Sequence, residues 1–230
     1  MLPPIFHMVR LSKRLAAVAG CVEKNSTVID VGTDHGLVPV WLVQAGIAGK
    51  VYATDLKPGP LHRAGELVRE TKTERFITLR VCDGLDGFSA ADADTVIVSG
   101  MGGENIAGIL SRAPWTKDGV RLVLQPQSKS DALRRFLLEN GYTVQSEHLV
   151  EDAGRFYQIL CACGGEGKSY TEAELYTGRF EQVSDEPLML PYLERLSARV
   201  RKAAPYDENS RGLLRQYNEM KMRLYHDKNM

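Results

Sequence analysis

Acidic residues placed beside glycines are where this chain can do chemistry. The stretch Val28-Ile29-Asp30-Val31-Gly32-Thr33-Asp34-His35-Gly36 reads as a strand, a tight turn and the start of a helix. Such a turn lies at the carboxyl edge of a sheet, where α/β proteins bind ligands. Gly32 lets a ligand approach the backbone, and Gly36 permits close packing at the helix start. A dinucleotide turn must accept a diphosphate on the helix N-terminus. Here Asp34 stands where that fingerprint wants a glycine, and Asp30 lies just before the turn. Two carboxylates repel a diphosphate but attract ammonium and sulfonium groups, the charge pattern of S-adenosylmethionine (SAM). The plainer alternatives are a hydrogen-bonding brace for Asp30 and a helix N-cap for Asp34.

Further candidates stand at successive strand ends. Asp55, followed by Leu56, can accept from both hydroxyls of a ribose, or can cap the helix after Pro58. Asp83-Gly84 can accept from an adenine amino group, although Asp-Gly is also an everyday turn. Ser99-Gly100-Met101-Gly102-Gly103 reads as a glycine-rich turn at the same edge, open to a flat base with Met101 packed against it. Leu124-Gln125-Pro126-Gln127-Ser128 offers amides for a base edge, with Ser128 equally able to cap the next helix.

The elements that must hold these residues follow from periodicity. Apolar runs at Val28–Val31, Lys50–Thr54, Phe76–Val81, Thr95–Val98 and Val120–Leu124 alternate with helical patterns, which implies a parallel sheet covered on both faces. Tyr142–Leu149 and Phe156–Ala162 follow with only a polar turn near Glu151–Gly154 between them, as in an antiparallel hairpin. The fold class is α/β: a Rossmann-like, mostly parallel seven-stranded sheet. A short amphipathic helix from about Arg10 to Cys21 precedes it. After the glycine-rich link at 164–167, Met189, Leu193, Leu196, Val200 and Ala203, then Leu213, Tyr217, Met220 and Leu224, recur at helical spacing. They predict a C-terminal antiparallel helical hairpin, a coiled coil. The expected domains are 1–165, binding SAM, and 166–230, helical.

With 230 residues, 43% hydrophobic and 25% charged, the chain has the composition of a globular protein. Its 29 basic and 29 acidic residues balance, which argues against a general nucleic-acid coat but not against a locally basic face. No apolar run reaches the length of a membrane span. Met1–Phe6 meets basic residues only from Arg10 on, the reverse of a secretory signal, so a cytoplasmic protein is expected. Cys21, Cys82, Cys161 and Cys163 lack the spacing of a zinc site or disulfide framework, and no metal is expected.

Taken together, Leu11-Ser12-Lys13-Arg14-Leu15, Asp30–Gly36, Asp83-Gly84-Leu85, Gly100–Gly103 and Leu124–Gln127 resemble the bacterial methyltransferases that modify N1 of adenine 22 in tRNA. That family also ends in a two-helix coiled coil. The resemblance implies a SAM-dependent enzyme acting on tRNA, with Asp30, Gly32, Thr33, Asp34, His35 and Gly36 at the methionine part of SAM. It implies Asp55 and Leu56 at the ribose, Asp83 and Gly84 at the adenine, and Ser99 beside them. Asp34, Gly100, Met101 and Gly102 would face the target, with no obligatory acid or base. His35 is a proton shuttle or a structural histidine. Phosphate contacts would come from Arg10, Lys13 and Arg14 on the first helix and Arg195, Arg199, Arg201 and Lys202 on the hairpin, although a solvated helix face is the commoner explanation for any one of them. A monomer is expected. The rivals are a SAM methyltransferase for another RNA, a protein or a small molecule, a nicotinamide oxidoreductase, and a non-enzymatic partner-binding protein.

Overall fold

The structure, a computed structural model, describes residues 8–179 and 186–227, so the Met1–Phe6 stretch lies outside the described residues. Seven strands form one sheet in the order β3-β2-β1-β4-β5-β7-β6. They are β1 (Ser26–Val31), β2 (Ala48–Asp55), β3 (Ile77–Val81), β4 (Thr95–Gly102), β5 (Arg121–Ser128), β6 (Tyr142–Asp152) and β7 (Arg155–Gly164). The first five pair in parallel, while β7 runs antiparallel to both β5 and β6. Ala153 and Gly154, both at positive φ (49° and 72°), close the β6–β7 hairpin. Two such residues are what a tight primed turn demands.

The covering helices are α1 (Lys13–Gly20), α2 (Leu37–Gln44), α3 (Pro58–Glu70), α4 (Gly103–Arg112) and α5 (Ser130–Glu139). α1 is shorter than its apolar spacing suggested, because Ser12 caps it and accepts from the Leu15 amide at 3.4 Å. Strand order reverses between β1 and β4, and such a switch point opens a ligand crevice at the carboxyl edge. Several strands outrun their apolar runs at that edge: β2 reaches Asp55, β4 Gly102 and β5 Ser128. The polar tails carry the candidate chemistry, and hydropathy could not assign them to strands.

The glycine-rich segment after Val98 is no tight turn; it continues β4 with a break in register at Gly100, whose φ is +83°. That bulge re-aims the strand end without ending it. Nor does Ser128 cap a helix: it ends β5, and Lys129 at φ 56° precedes α5 without a side-chain cap.

Beyond the sheet come α6 (Glu172–Thr177), α7 (Glu186–Arg201) and α8 (Glu208–Asp227). Thr171 and Glu174 form a reciprocal capping box on α6, a helix that the glycine-rich link concealed. Ala173, Met189, Leu193, Leu196, Tyr217, Met220 and Leu224 make a separate apolar cluster, so the two predicted stripes do meet. Ala203 is the exception: it is exposed, and the stripe closes on buried Ala204. This layer is tied to the sheet through α5. Arg134, fully buried, pairs with buried Glu147 of β6 and donates to the Leu175 carbonyl of α6 at 2.7 Å. Among the described residues no helix is long and apolar enough to cross a membrane.

Candidate active site

At the β1–β4 switch point a cavity of about 220 Å³ is lined by Arg14, Asp30, Gly32, Thr33, Asp34, His35, Ser99, Gly100 and Gln127, with α2 residues Leu37 and Val38. Asp30 is the buried acid of this cavity, at 5% exposure. Burial pushes its carboxyl up to about 6, with the nearby Thr33 hydroxyl offsetting part of the rise. Thr33 Oγ1 is itself buried and makes no hydrogen bond of ordinary geometry. A buried carboxylate and an orphaned hydroxyl on one wall are groups that call for a polar, cationic ligand.

The turn is closed to anions. The amides of Gly32 and Thr33 both donate to the Thr54 carbonyl, at 2.8 and 2.9 Å, and the Gly36 amide donates to the Thr33 carbonyl. A diphosphate would find these donors already engaged. A Cβ at Gly32 would run into the Met101 methyl, and one at Gly36 would lie 3.0 Å from Ala64 Cβ on α3. Gly36 is therefore demanded by close approach, and both glycines by their positive φ of 75° and 71°.

Asp34 does not cap α2; the N-cap is Gly36. It sits at φ 49° with its side chain turned outward, 2.9 Å from Arg63 Nη2 and 3.6 Å from His35 Nε2. A non-glycine residue held at positive φ is a common mark of a functional turn. Asp55 accepts from the Lys57 amide at 2.8 Å beside Leu56, which is 61% exposed. Asp83 is held by Arg112 at 2.9 Å, beside buried Gly84. Exposed Val81 stands opposite Asp55 in the β2–β3 register, so two bare apolar side chains flank these carboxylates. Asp55 and Asp83 sit outside the small cavity, further along the same edge.

Arg14 is placed differently from the basic residues near it in sequence. Arg10 and Lys13 are exposed, whereas the Arg14 guanidinium turns inward, donating to Gln125 Oε1 at 2.7 Å and Ser99 Oγ at 3.3 Å. Its amide donates to Asp152 on the hairpin at 3.1 Å, and hydrogen bonds from the Ser12 hydroxyl first and this amide second hold the Asp152 carboxyl low. Ser99 and Gln125 are register partners on β4 and β5, their side chains 3.2 Å apart. A helix-face pattern had marked Arg14 as a phosphate contact; nothing in the spacing foretold its reach to two strand ends.

Gln127 also lines a larger groove of about 480 Å³ with Lys129, Arg155, Tyr157, Tyr192, Arg195 and Arg199. Arg195 and Arg199 thus converge on the site, while Arg201 and Lys202 are exposed elsewhere on the helix end. Arg195 is fixed by the Gly154 carbonyl at 2.9 Å. Lys129 and Arg155 were missed, since a lone basic residue after a strand or in a hairpin turn carries no pattern.

A family model described as a methyltransferase domain matches residues 11–160. The tRNA (adenine(22)-N(1))-methyltransferase of Bacillus subtilis is 31% identical over 159 residues, 69% of this chain and 67% of the relative. A solved Streptococcus pneumoniae protein assigned as a tRNA (m1A22) methyltransferase, in complex with S-adenosyl-L-methionine, superposes with a TM-score of 0.84 at 28% identity, covering 92% of this chain and 100% of that one. The solved B. subtilis m1A22 tRNA methyltransferase gives 0.75 at 26% identity, covering 95% and 98%. With the cavity at the switch point and a turn closed to diphosphate, these matches set the nicotinamide reading aside. The chain belongs to the methyltransferase-domain family of the tRNA (adenine(22)-N(1))-methyltransferases.

Proposed function

We propose that this chain transfers the methyl group of SAM to N1 of adenine 22 in tRNA, acting as a cytoplasmic monomer. Residues 1–165 are the catalytic domain and 166–230 the helical unit beside which the RNA docks. The observation that carries the reading is the adjacency of two unlike spaces sharing Gln127: an acid-lined cavity fit for a cationic ligand, and a cationic, aromatic groove fit for a nucleotide.

Asp30 and Thr33 would hold the ammonium end of SAM, with Gly32 letting it lie against the backbone. Asp55 would take the ribose hydroxyls. Leu56 and Val81 would cover the adenine, with Asp83 at its edge. SAM supplies an electrophilic methyl on a sulfonium. Adenine N1 brings its own lone pair, so no side chain has to remove a proton first, and the chain's task is alignment. N1 lies on the Watson–Crick edge, so the target base leaves its stack to reach the site. The Ser99–Gly100 bulge and Gln127 line its approach, and outward-facing Asp34 can balance the positive charge gained by the base.

Arg14 is a positioning residue that fixes Ser99 and Gln125. Arg14→Ala is expected to lower the single-turnover methylation rate about 100-fold while SAM affinity changes far less. An unchanged rate removes Arg14 from the site. Reversing Arg155, Arg195 and Arg199 to Glu weakens tRNA binding and flattens its salt dependence by about 0.7 to 0.9 in log–log slope for each phosphate no longer neutralised. Filter binding across a salt series reads this, and an unaltered slope excludes the groove. The reading as a whole is tested with labelled SAM offered to unmodified tRNA and, separately, to ribosomal RNA and ribosomal protein. Label is expected in tRNA alone; label only in either alternative acceptor defeats the tRNA assignment.

A further inference from the structure

At the opposite end of α1 from Arg14, two thiols and an imidazole come together. The ligating atoms of Cys21, His148 and Cys161 all lie within 4.8 Å of one another. The β6–β7 register explains the meeting. Ser146 faces Cys161 and His148 faces Ile159, so His148 and Cys161 are diagonal neighbours on one face of the hairpin. Val123 of β5 pairs with Cys161 and joins Val18 of α1 in one apolar cluster, so this is the face on which α1 lies. Cys21 is the C-cap of α1 and comes down onto the same spot.

We propose that Cys21, His148 and Cys161 form a binding site for one soft divalent cation, Zn2+, which pins the C-terminal end of α1 to the β6–β7 hairpin. Two thiolates and one imidazole are a zinc ligand set that leaves a fourth position for water. Ligating atoms around a tetrahedral Zn2+ stand about 3.4 to 3.8 Å apart, given metal–ligand bonds of about 2.0 to 2.3 Å. The three side chains therefore need to close by no more than about 1.4 Å.

Cys161 is buried, while Cys21 and His148 are each partly exposed, which leaves a way in for an ion. The last turn of α1 carries no basic residue, so its carbonyl end lacks a cation of its own. Cys21 Sγ now donates to the Ala17 carbonyl at 3.3 Å. On loading, the cysteine S–H bonds break, their protons go to solvent, and metal–sulfur bonds form without any redox change. Because α1 also carries Arg14, the same ion steadies the helix that reaches the active site.

The test uses the full chain, stripped with chelator in reducing buffer and titrated with Zn2+ against a chromophoric competitor, then with Co2+. The expected result is one equivalent of Zn2+, and a Co2+ spectrum with thiolate charge-transfer bands and strong tetrahedral d–d bands. Cys161→Ser removes the bands, while Cys163→Ser, a neighbour outside the cluster, keeps them. No stoichiometric Zn2+ in the unaltered chain overturns the proposal, as do bands that survive Cys161→Ser or vanish equally with Cys163→Ser. The readout involves neither SAM nor RNA, so its failure leaves the methyltransferase reading untouched.

Discussion

Replacing Asp30 by Asn sharply weakens SAM binding and, at the same time, makes the ligand-free chain more stable at neutral pH. Both effects come from one buried carboxyl pushed from 3.8 up to about 6. The fold favours its protonated form, so its contribution to stability is full below about pH 4 and is lost as pH rises through about 6. A shift of roughly two units at about 1.4 kcal/mol each sets the penalty near 3 kcal/mol as an upper bound. Asparagine carries none of it. Thermal melts should show the variant above the unaltered chain at pH 7.5 and level with it at pH 4. Calorimetry should find SAM affinity down by about 1000-fold, the loss expected when a buried charge partner is removed. In the unaltered chain, SAM affinity should also fall about tenfold per pH unit below about pH 6, as Asp30 takes up a proton. Normal SAM affinity in the Asn variant would remove Asp30 from the ligand site.

The second large effect is structural. Glu147→Gln leaves the Arg134 guanidinium buried without a counter-charge. Burial disfavours that cation, and it is chiefly Glu147 beside it, by charge and by hydrogen bond, that raises its proton affinity above normal. Breaking such a pair from one side costs about 3 to 5 kcal/mol. Replacing both partners, as in Arg134→Met with Glu147→Leu, costs much less because no charge is stranded. Denaturant unfolding of the single and double variants separates the two cases. Equal losses in both would show that the pair acts through shape and not charge. Because Arg134 also holds the Leu175 carbonyl, the single variant should loosen α6 first.

Much of this architecture could be read from periodicity. The parallel strands, the hairpin after β5 and the two facing helical stripes each carry a repeat of apolar residues that burial enforces. Asp30 and the glycines around it were legible for a related reason: a strand, a tight turn and a helix leave little freedom about where the turn lies. What stayed hidden depends on contacts between residues far apart in the chain. Arg134 reads as one more basic residue on a surface helix, yet it is fully buried. Arg14 lies close in sequence to exposed Arg10 and Lys13, and only the docking angle of α1 turns it inward. Cys21, His148 and Cys161 show no ligand spacing, since a helix cap and two strands bring them together. The β4 bulge was missed because glycines after an apolar run fit a turn and a bulged strand equally well.

Methylation at adenine 22 is tested most sharply with a pair of unmodified tRNA transcripts, one intact and one with guanine in place of that adenine. Each is incubated with the chain and SAM, then digested to nucleosides. The expected products are 1-methyladenosine from the intact transcript and none from the substituted one. Equal 1-methyladenosine from both, or methyl groups recovered on another atom, would contradict the assignment.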